Sequence, residues 1–152
     1  MERRKIMQIS SRFTVALHIF TCVDTFKDDH KVTSDFLASS INTNPVIIRK
    51  ILSQLKNAGL IRVARGTGGI ELTRDLKDIS FYDVYQAIEP IEDGELFRFH
   101  EDPNPRCPVG RNIHELLDGK LSAIQNAMET EMKKYTLLDL RKGMQEILEK
   151  EA

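Results

Sequence analysis

Apolar residues recur at three- and four-residue steps over much of the chain, and polar breaks divide these stretches into short helices. Over residues 9–24, Phe13, Ala16, Leu17, Phe20 and Val23 mark one face of an amphipathic helix. Lys27-Asp28-Asp29-His30 interrupts the pattern with a polar break. Thr33 and Ser34 can then cap a short helix carrying Phe36, Leu37 and Ala38, which Ser39-Ser40-Ile41-Asn42 terminates. The next helix is the best marked. Asn44 suits its N-cap, and Pro45 falls at the first helical position, where the missing N–H costs nothing. Ile48, Ile51, Leu52 and Leu55 form its apolar stripe, and Gly59 is placed to end it. Arg49, Lys50, Ser53 and Lys56 lie largely off that stripe. Two helices joined by a short turn, the second basic outside and apolar inside, read as a helix-turn-helix.

Residues 60–64 then read as a short strand, Arg65-Gly66-Thr67-Gly68-Gly69 as a tight loop, and Ile70-Glu71-Leu72 as the returning strand. A hairpin directly after a recognition helix is a wing. The glycines lack a Gly-Lys-Ser/Thr ending and open no helix, so a nucleotide-phosphate loop is a poor fit. Ser80, with Asp83 three residues on, starts a further short helix through Val84, Tyr85 and Ile88, which Pro90 stops. Residues 91–108 form a connecting loop with three prolines and five acidic residues. Residues 109–134 carry the longest helical pattern, with a stripe of Ile113, Leu117, Leu121, Ile124, Met128 and, just beyond, Tyr135. At about 1.5 Å per residue that is a rod near 39 Å, too long for so small a domain to bury alone. Thr136 caps a last helix with Asp139 as the reciprocal residue, and Leu137, Leu140, Met144, Ile147 and Leu148 are its expected buried positions.

The expected fold is therefore mainly α with a small β-hairpin: a winged helix-turn-helix DNA-binding domain over residues 7–90, an acidic proline-containing loop over 91–108, and a long dimerisation helix with a C-terminal helix over 109–152. No apolar run approaches the roughly 18 residues of a membrane span. Two cysteines, Cys22 and Cys107, are too few for a disulfide scaffold and fit a reducing, cytoplasmic setting.

Charge sharpens the functional reading. The chain's net −1 conceals +5 over residues 1–75 and −6 over residues 76–152. Between Phe36 and Ile70 there is no acidic residue, while Arg49, Lys50, Lys56, Arg62 and Arg65 all fall there. Such a window suits a polyanion, because Lys and Arg displace counterions from phosphates that a carboxylate would repel.

The run Ile51-Leu52-Ser53-Gln54-Leu55-Lys56-Asn57-Ala58-Gly59-Leu60-Ile61, followed by Arg65-Gly66-Thr67-Gly68-Gly69, resembles the Rrf-two family of bacterial winged-helix transcription regulators. The segment Thr136-Leu137-Leu138-Asp139-Leu140 after a long helix extends the resemblance, which covers residues 7–140 and leaves residues 1–6 outside. It implies a DNA-binding regulator, expected as a repressor, acting as a homodimer on a near-palindromic operator of double-stranded DNA. Two departures stand out. Thr67 occupies the usual proline position of the wing, and Ile70-Glu71 replaces a frequent Gly-Tyr. Cluster-binding members carry three cysteines before the long helix; here Cys107 alone matches, and the loop upstream offers Glu95, His100 and Glu101. One thiolate is too few for an iron–sulfur cluster, so no cofactor is expected.

The residues divide by role. Thr43, Asn44 and Pro45 open the recognition helix, the part that meets base edges. Arg49, Lys50, Ser53 and Lys56 are candidate backbone contacts, with Arg12 a weaker one. Arg65 and Thr67 form the wing tip, where a guanidinium can enter a minor groove, as the family's wing arginine does. Ile113, Leu117, Leu121, Ile124 and Met128 are the candidate dimer seam. Cys107, flanked by Arg106 and Arg111, is a candidate sensor thiol, whereas Cys22 reads as core. His100, Cys107 and His114 lack compact metal-ligand spacing, so no metal site is assigned. His18, His30, His100 and His114 have no catalytic partners in sequence, and the expectation is no enzyme. Two other readings stand beside the main one: a winged helix used only for protein assembly, and a thiol- or metal-responsive regulator acting through Cys107.

Overall fold

A computed structural model of the chain describes residues 10–66, 68–89, 96–97 and 99–152. Helix α1 (Ser11–Phe26) begins where the Ser10 side chain accepts the Arg12 N–H. Helix α2 (Ser34–Ile41) begins at Thr33, whose Oγ1 accepts from Phe36 N at 3.2 Å. It ends at Asn42, whose φ of 59° puts it in the left-handed region that asparagine tolerates. Only two residues then separate it from the N-cap of α3 (Pro45–Asn57), giving the tight turn of a helix-turn-helix.

After α3, Gly59 at φ +76° reverses the chain into β1 (Ile61–Val63), which pairs antiparallel with β2 (Ile70–Leu72) in the register Ile61↔Leu72, Arg62↔Glu71, Val63↔Ile70. β1 is two residues shorter than the sequence pattern predicts, because Leu60 is the buried pivot of the turn and Ala64 already belongs to the wing tip. A turn of 3₁₀ helix at Leu76–Asp78 leads into α4 (Phe81–Ile88), which carries the expected reciprocal cap: Asp83 N donates to Ser80 Oγ and Ser80 N to Asp83 Oδ2. Helices α5 (Pro108–Lys134) and α6 (Leu137–Glu151) complete the order. Among the described residues, no helix is long and apolar enough to cross a membrane.

The core lies under the first four helices and the wing. Ala16, Ile19, Phe20 and Val23 of α1 meet Leu37 of α2, Ile48, Ile51 and Leu55 of α3, Ile61 and Ile70 of the hairpin, and Val84 and Ile88 of α4. Each aliphatic side chain so buried contributes roughly 1.5–3 kcal/mol. Phe13 adds edge-on contacts to Phe81 and Tyr85, at ring-centroid distances of 6.3 and 6.0 Å. Tyr85 is buried, and that desolvation, with Glu89 nearby, pushes its hydroxyl above the ordinary tyrosine range.

The C-terminal half corrects one expectation. In α6, Leu137 is buried and Leu140 and Met144 are half-buried, but Ile147 and Leu148 are exposed. Helix α6 lies on α1 and the 3₁₀ turn through its first turns only, and its end runs past the domain. Helix α5 packs on α4 and has no buried residue.

Candidate nucleic-acid interface and dimer helix

The recognition helix owes its start to chemistry legible in the sequence. Asn44 Oδ1 accepts from Val46 N at 2.8 Å, and Pro45 opens the first turn. At 3.6 residues per turn the buried stripe Ile48–Ile51–Leu55 faces the core, and Val46, Lys50 and Ser53 fall on the opposite side. Arg49 and Lys56 flank them, and all of these outward side chains are exposed. Thr43 and Pro45 are half-buried at the turn.

The wing is closed by two backbone bonds, Ala64 N to Gly69 O at 2.8 Å and Gly68 N to Ala64 O at 3.1 Å. Gly66 and Gly68 have φ of +80° and +69°, conformations that side-chain-bearing residues resist. That geometry presents Arg65 to solvent at the tip. Thr67, the other expected tip contact, lies outside the described residues, as do Glu95 and Pro90. Among the described residues Arg49, Lys50, Lys56 and Arg65 enter no ion pair, which leaves four cations for an external anion.

Two arginines are placed differently from the sequence expectation. Arg62 is held by Glu71 across the hairpin, Nε to Oε2 at 3.0 Å, so its charge is offset within the wing. Arg12, expected as a weaker phosphate contact, instead donates to the Gln54 side chain, and Gln54 Nε2 donates on to Ile88 O at 3.3 Å. Arg12 and Gln54 thereby tie α1, α3 and α4 together.

One cation was missed. Lys31, at the edge of what reads as a polar break, lies against the wing: its Nζ is 3.6 Å from where a Cβ on Gly68 would sit. The neighbouring Val32 O accepts from Ile70 N at 3.1 Å, which fixes that linker beside β2. Only the tertiary fold brings residue 31 to residue 68.

Along α5, Ile113, Leu117, Leu121 and Met128 are half-buried and Ile124 is 55% exposed. Val109 and Leu116 are exposed as well. At the C-terminal end of α5 a mostly apolar groove of about 440 Å³ is lined by Phe13, Phe81, Met128, Glu131, Met132 and Tyr135. Among the described residues this seam is only partly covered.

The cysteines stand far apart in role. Cys22 is buried, its Sγ 3.3 Å from Ser40 Oγ, while Cys107 is exposed at the N-cap of α5. Near Cys107 in sequence, the His114 ring stacks on Phe99 at 4.1 Å and lies 6.3 Å from the His100 ring. Among the described residues no three His, Cys, Asp or Glu side chains converge as a metal site would require.

Polar contacts join the C-terminal helices to the helix-turn-helix half beside their apolar packing. Arg141 of α6 grips Asp24 of α1 side-on through one guanidinium edge, Nε donating to Oδ2 at 2.8 Å and Nη2 to Oδ1. This holds the Asp24 carboxyl below its ordinary range, against the opposing effect of burial. The α5–α6 junction is stitched to the start of α4 by an antiparallel bridge: Phe81 N donates to Tyr135 O at 2.9 Å and Leu137 N to Ile79 O at 3.0 Å.

Comparison with known proteins agrees with this arrangement. Residues 9–143 match the family model Rrf2, described as an iron-dependent transcriptional regulator. YwnA of Bacillus subtilis (strain 168), named as an HTH-type transcriptional regulator, is 42% identical over 132 residues, covering 87% of this chain and 96% of the relative. A crystal structure described as a DNA binding protein superposes with a TM-score of 0.70 at 36% identity, over 86% of this chain and 99% of that one. CymR (YrzC), the global cysteine regulator of B. subtilis, shares the fold with a TM-score of 0.64 at 23% identity, over 89% of this chain and 96% of CymR.

Proposed function

Because the chain belongs to the Rrf2 family of transcriptional regulators, and so to DNA-binding regulators and not to enzymes, we propose that it represses transcription as a two-fold homodimer on a near-palindromic operator. The observation that carries this reading is the outward set of cations, Arg49, Lys50, Lys56 and Arg65, spanning recognition helix and wing with no internal counter-charge among the described residues. The first turn of α3, at Thr43, Asn44 and Pro45, meets base edges. Lys50, Arg49, Ser53 and Lys56 set the helix on the phosphates, and Arg65 and Thr67 bring the wing to the adjacent groove. The partly covered seam of α5 supports the homodimer: a second copy presenting the same stripe buries Ile113, Leu117, Leu121, Ile124 and Met128 on both chains at once. The protein then acts in the cytoplasm, where such operators lie.

We further propose that it works without an iron–sulfur cluster, although the family description refers to iron. The side chains present do not fit one. Of the two thiols, Cys22 is buried on α1 against Ser40 of α2 and Cys107 is exposed at the start of α5, and a cluster is held by several thiolates.

The test is binding of gel-filtered protein to duplexes selected from random sequence, at low and moderate salt. Arg65→Ala is expected to cost about 1–3 kcal/mol on the selected site. Lys56→Ala is expected to weaken all duplexes alike and to reduce the salt slope by about one. Unchanged binding in both variants refutes the interface, and weak, salt-insensitive binding by the wild type points to protein assembly instead.

A further inference from the structure

The exposed large apolar side chains separate into two groups. Val109, Leu116, Ile124, Tyr135, Ile147 and Leu148 belong to the C-terminal half, where α5 offers its seam. Val46, Ile47 and Val63 are those of the DNA-facing half among the described residues, two on the first turn of α3 and one on the wing. Val46 is 50% exposed and Ile47 43%. Their exposure does not follow from the helix's own amphipathicity, since its apolar face is already complete in Ile48, Ile51 and Leu55. Nor do the described residues cover them. They are bordered by the Asn44 cap and by the free cations Arg49 and Lys50, so a hydrophobic protein partner would have to desolvate two unpaired charges to reach them.

A DNA major groove satisfies both features together. Its walls are phosphates, which take the cations, and its floor carries one apolar group, the 5-methyl of thymine. Val46 lies diametrically opposite the buried stripe and on the turn that enters the groove first. We infer that Val46 and Ile47 form an apolar pad that reads thymine methyl groups, so that each operator half-site carries thymine under the start of α3. This rests on the DNA-binding reading above and adds its base specificity. Lys50, one turn along from Val46 on the same face, reaches the phosphate or the next base and fixes the pad's register.

Replacing thymine by deoxyuridine in the selected duplex removes the methyl and leaves every hydrogen-bonding group in place. Burying one methyl is worth about a fourfold change in affinity. Wild-type protein should therefore lose about fourfold on substitution in one half-site and about fifteenfold in both, at one or two thymine positions. Val46→Ala, with Ile47→Ala as its companion, should show no preference for thymine over uridine at those positions. Because Val46 and Ile47 are exposed, these variants are expected to fold, which thermal denaturation confirms beside each titration. Tight, sequence-specific binding with no thymine–uridine difference, a difference that persists in both alanine variants, or a selected half-site lacking thymine would overturn the pad and leave the DNA-binding reading standing. Absence of salt-sensitive duplex binding would overturn that reading itself.

Discussion

Replacing Arg141 with alanine removes both hydrogen bonds that α6 makes to Asp24. What remains near that carboxylate is Lys27, at 3.5 Å. A charge-assisted hydrogen bond contributes about 1.5–3 kcal/mol where it is sheltered, and an exposed ion pair about 0.2–1 kcal/mol. Here Asp24 is sheltered, with its side chain 11% exposed, but Arg141 is 37% exposed and solvent screens it. The expected loss is therefore intermediate, about 1–2 kcal/mol at neutral pH. The pH dependence identifies the cause. Arg141 lowers the Asp24 carboxyl below the ordinary 3.8, so the folded state binds this proton less readily than the unfolded one. The stabilisation is fully present above about pH 5 and disappears as pH falls through the lowered folded value. Urea denaturation of wild type and Arg141→Ala should thus differ most near pH 7 and converge only as the pH falls through the lowered folded value of Asp24. Protein concentration has to be held fixed, because a dimer's apparent stability depends on it. A difference that stays constant from pH 7 down through the protonation of Asp24 in the folded state would refute the electrostatic account and leave lost packing of the arginine stem as the cause.

Glu at Leu121 and Ile124 is expected to yield a monomer by sedimentation at micromolar concentration, with most operator affinity lost; since Ile124 is exposed in the single chain, its helix content should survive. Wild type that sediments as a monomer, yet binds a half-site as tightly as the palindrome, would remove the dimer proposal. Anaerobic purification from iron-replete cells is expected to give protein without stoichiometric iron or sulfide and without a cluster band in the visible spectrum, and stoichiometric amounts of both would mean that ligands other than thiolates complete the set.

Elements whose ends carry their own chemistry were legible in the sequence. Thr33, Asn44, Ser80 and Thr136 begin helices where their side chains and spacing predict, because a cap is a contact within three residues. The wing was equally readable, since its glycines and flanking aliphatics specify a hairpin locally. What escaped was set by distant packing. Arg12 looks like a free cation until the fold brings Gln54 beside it, and Lys31 looks like a linker residue until Gly68 arrives. Arg62 counts as basic in sequence, whereas Glu71, outside the acid-free window, faces it across the hairpin. Ile147 and Leu148 keep the helical period but lie past the surface that α6 covers, so periodicity identified a face without saying how far that face is used. Val46 carried no signal of its own, because the helical period marks the buried stripe and says nothing of an aliphatic residue on the opposite face.

The joint between the two halves bears on how such a regulator could be switched. The bridge of residues 79–81 with 135–137 lies at the start of α4 and at the junction of α5 and α6, and both helix caps, Ser80 and Thr136, sit on it. Helix α5 therefore cannot change its angle to the DNA-facing half by bending at a free linker. It must break two backbone hydrogen bonds or carry α4 with it. Helix α4 in turn packs on α1 and α3, and Gln54 of α3 is bonded to Ile88 at its end. In the proposed dimer, a displacement at α5 would reach α3 through this packing, while the Arg141–Asp24 pair joins α6 to α1 on the other side. In a two-fold dimer the distance between recognition helices must match about 34 Å of DNA, or a multiple of it. A small rotation of α5 at the seam of the proposed dimer, carried over the length of the protomer, would spoil that match and lower operator affinity with the proposed DNA contacts unchanged.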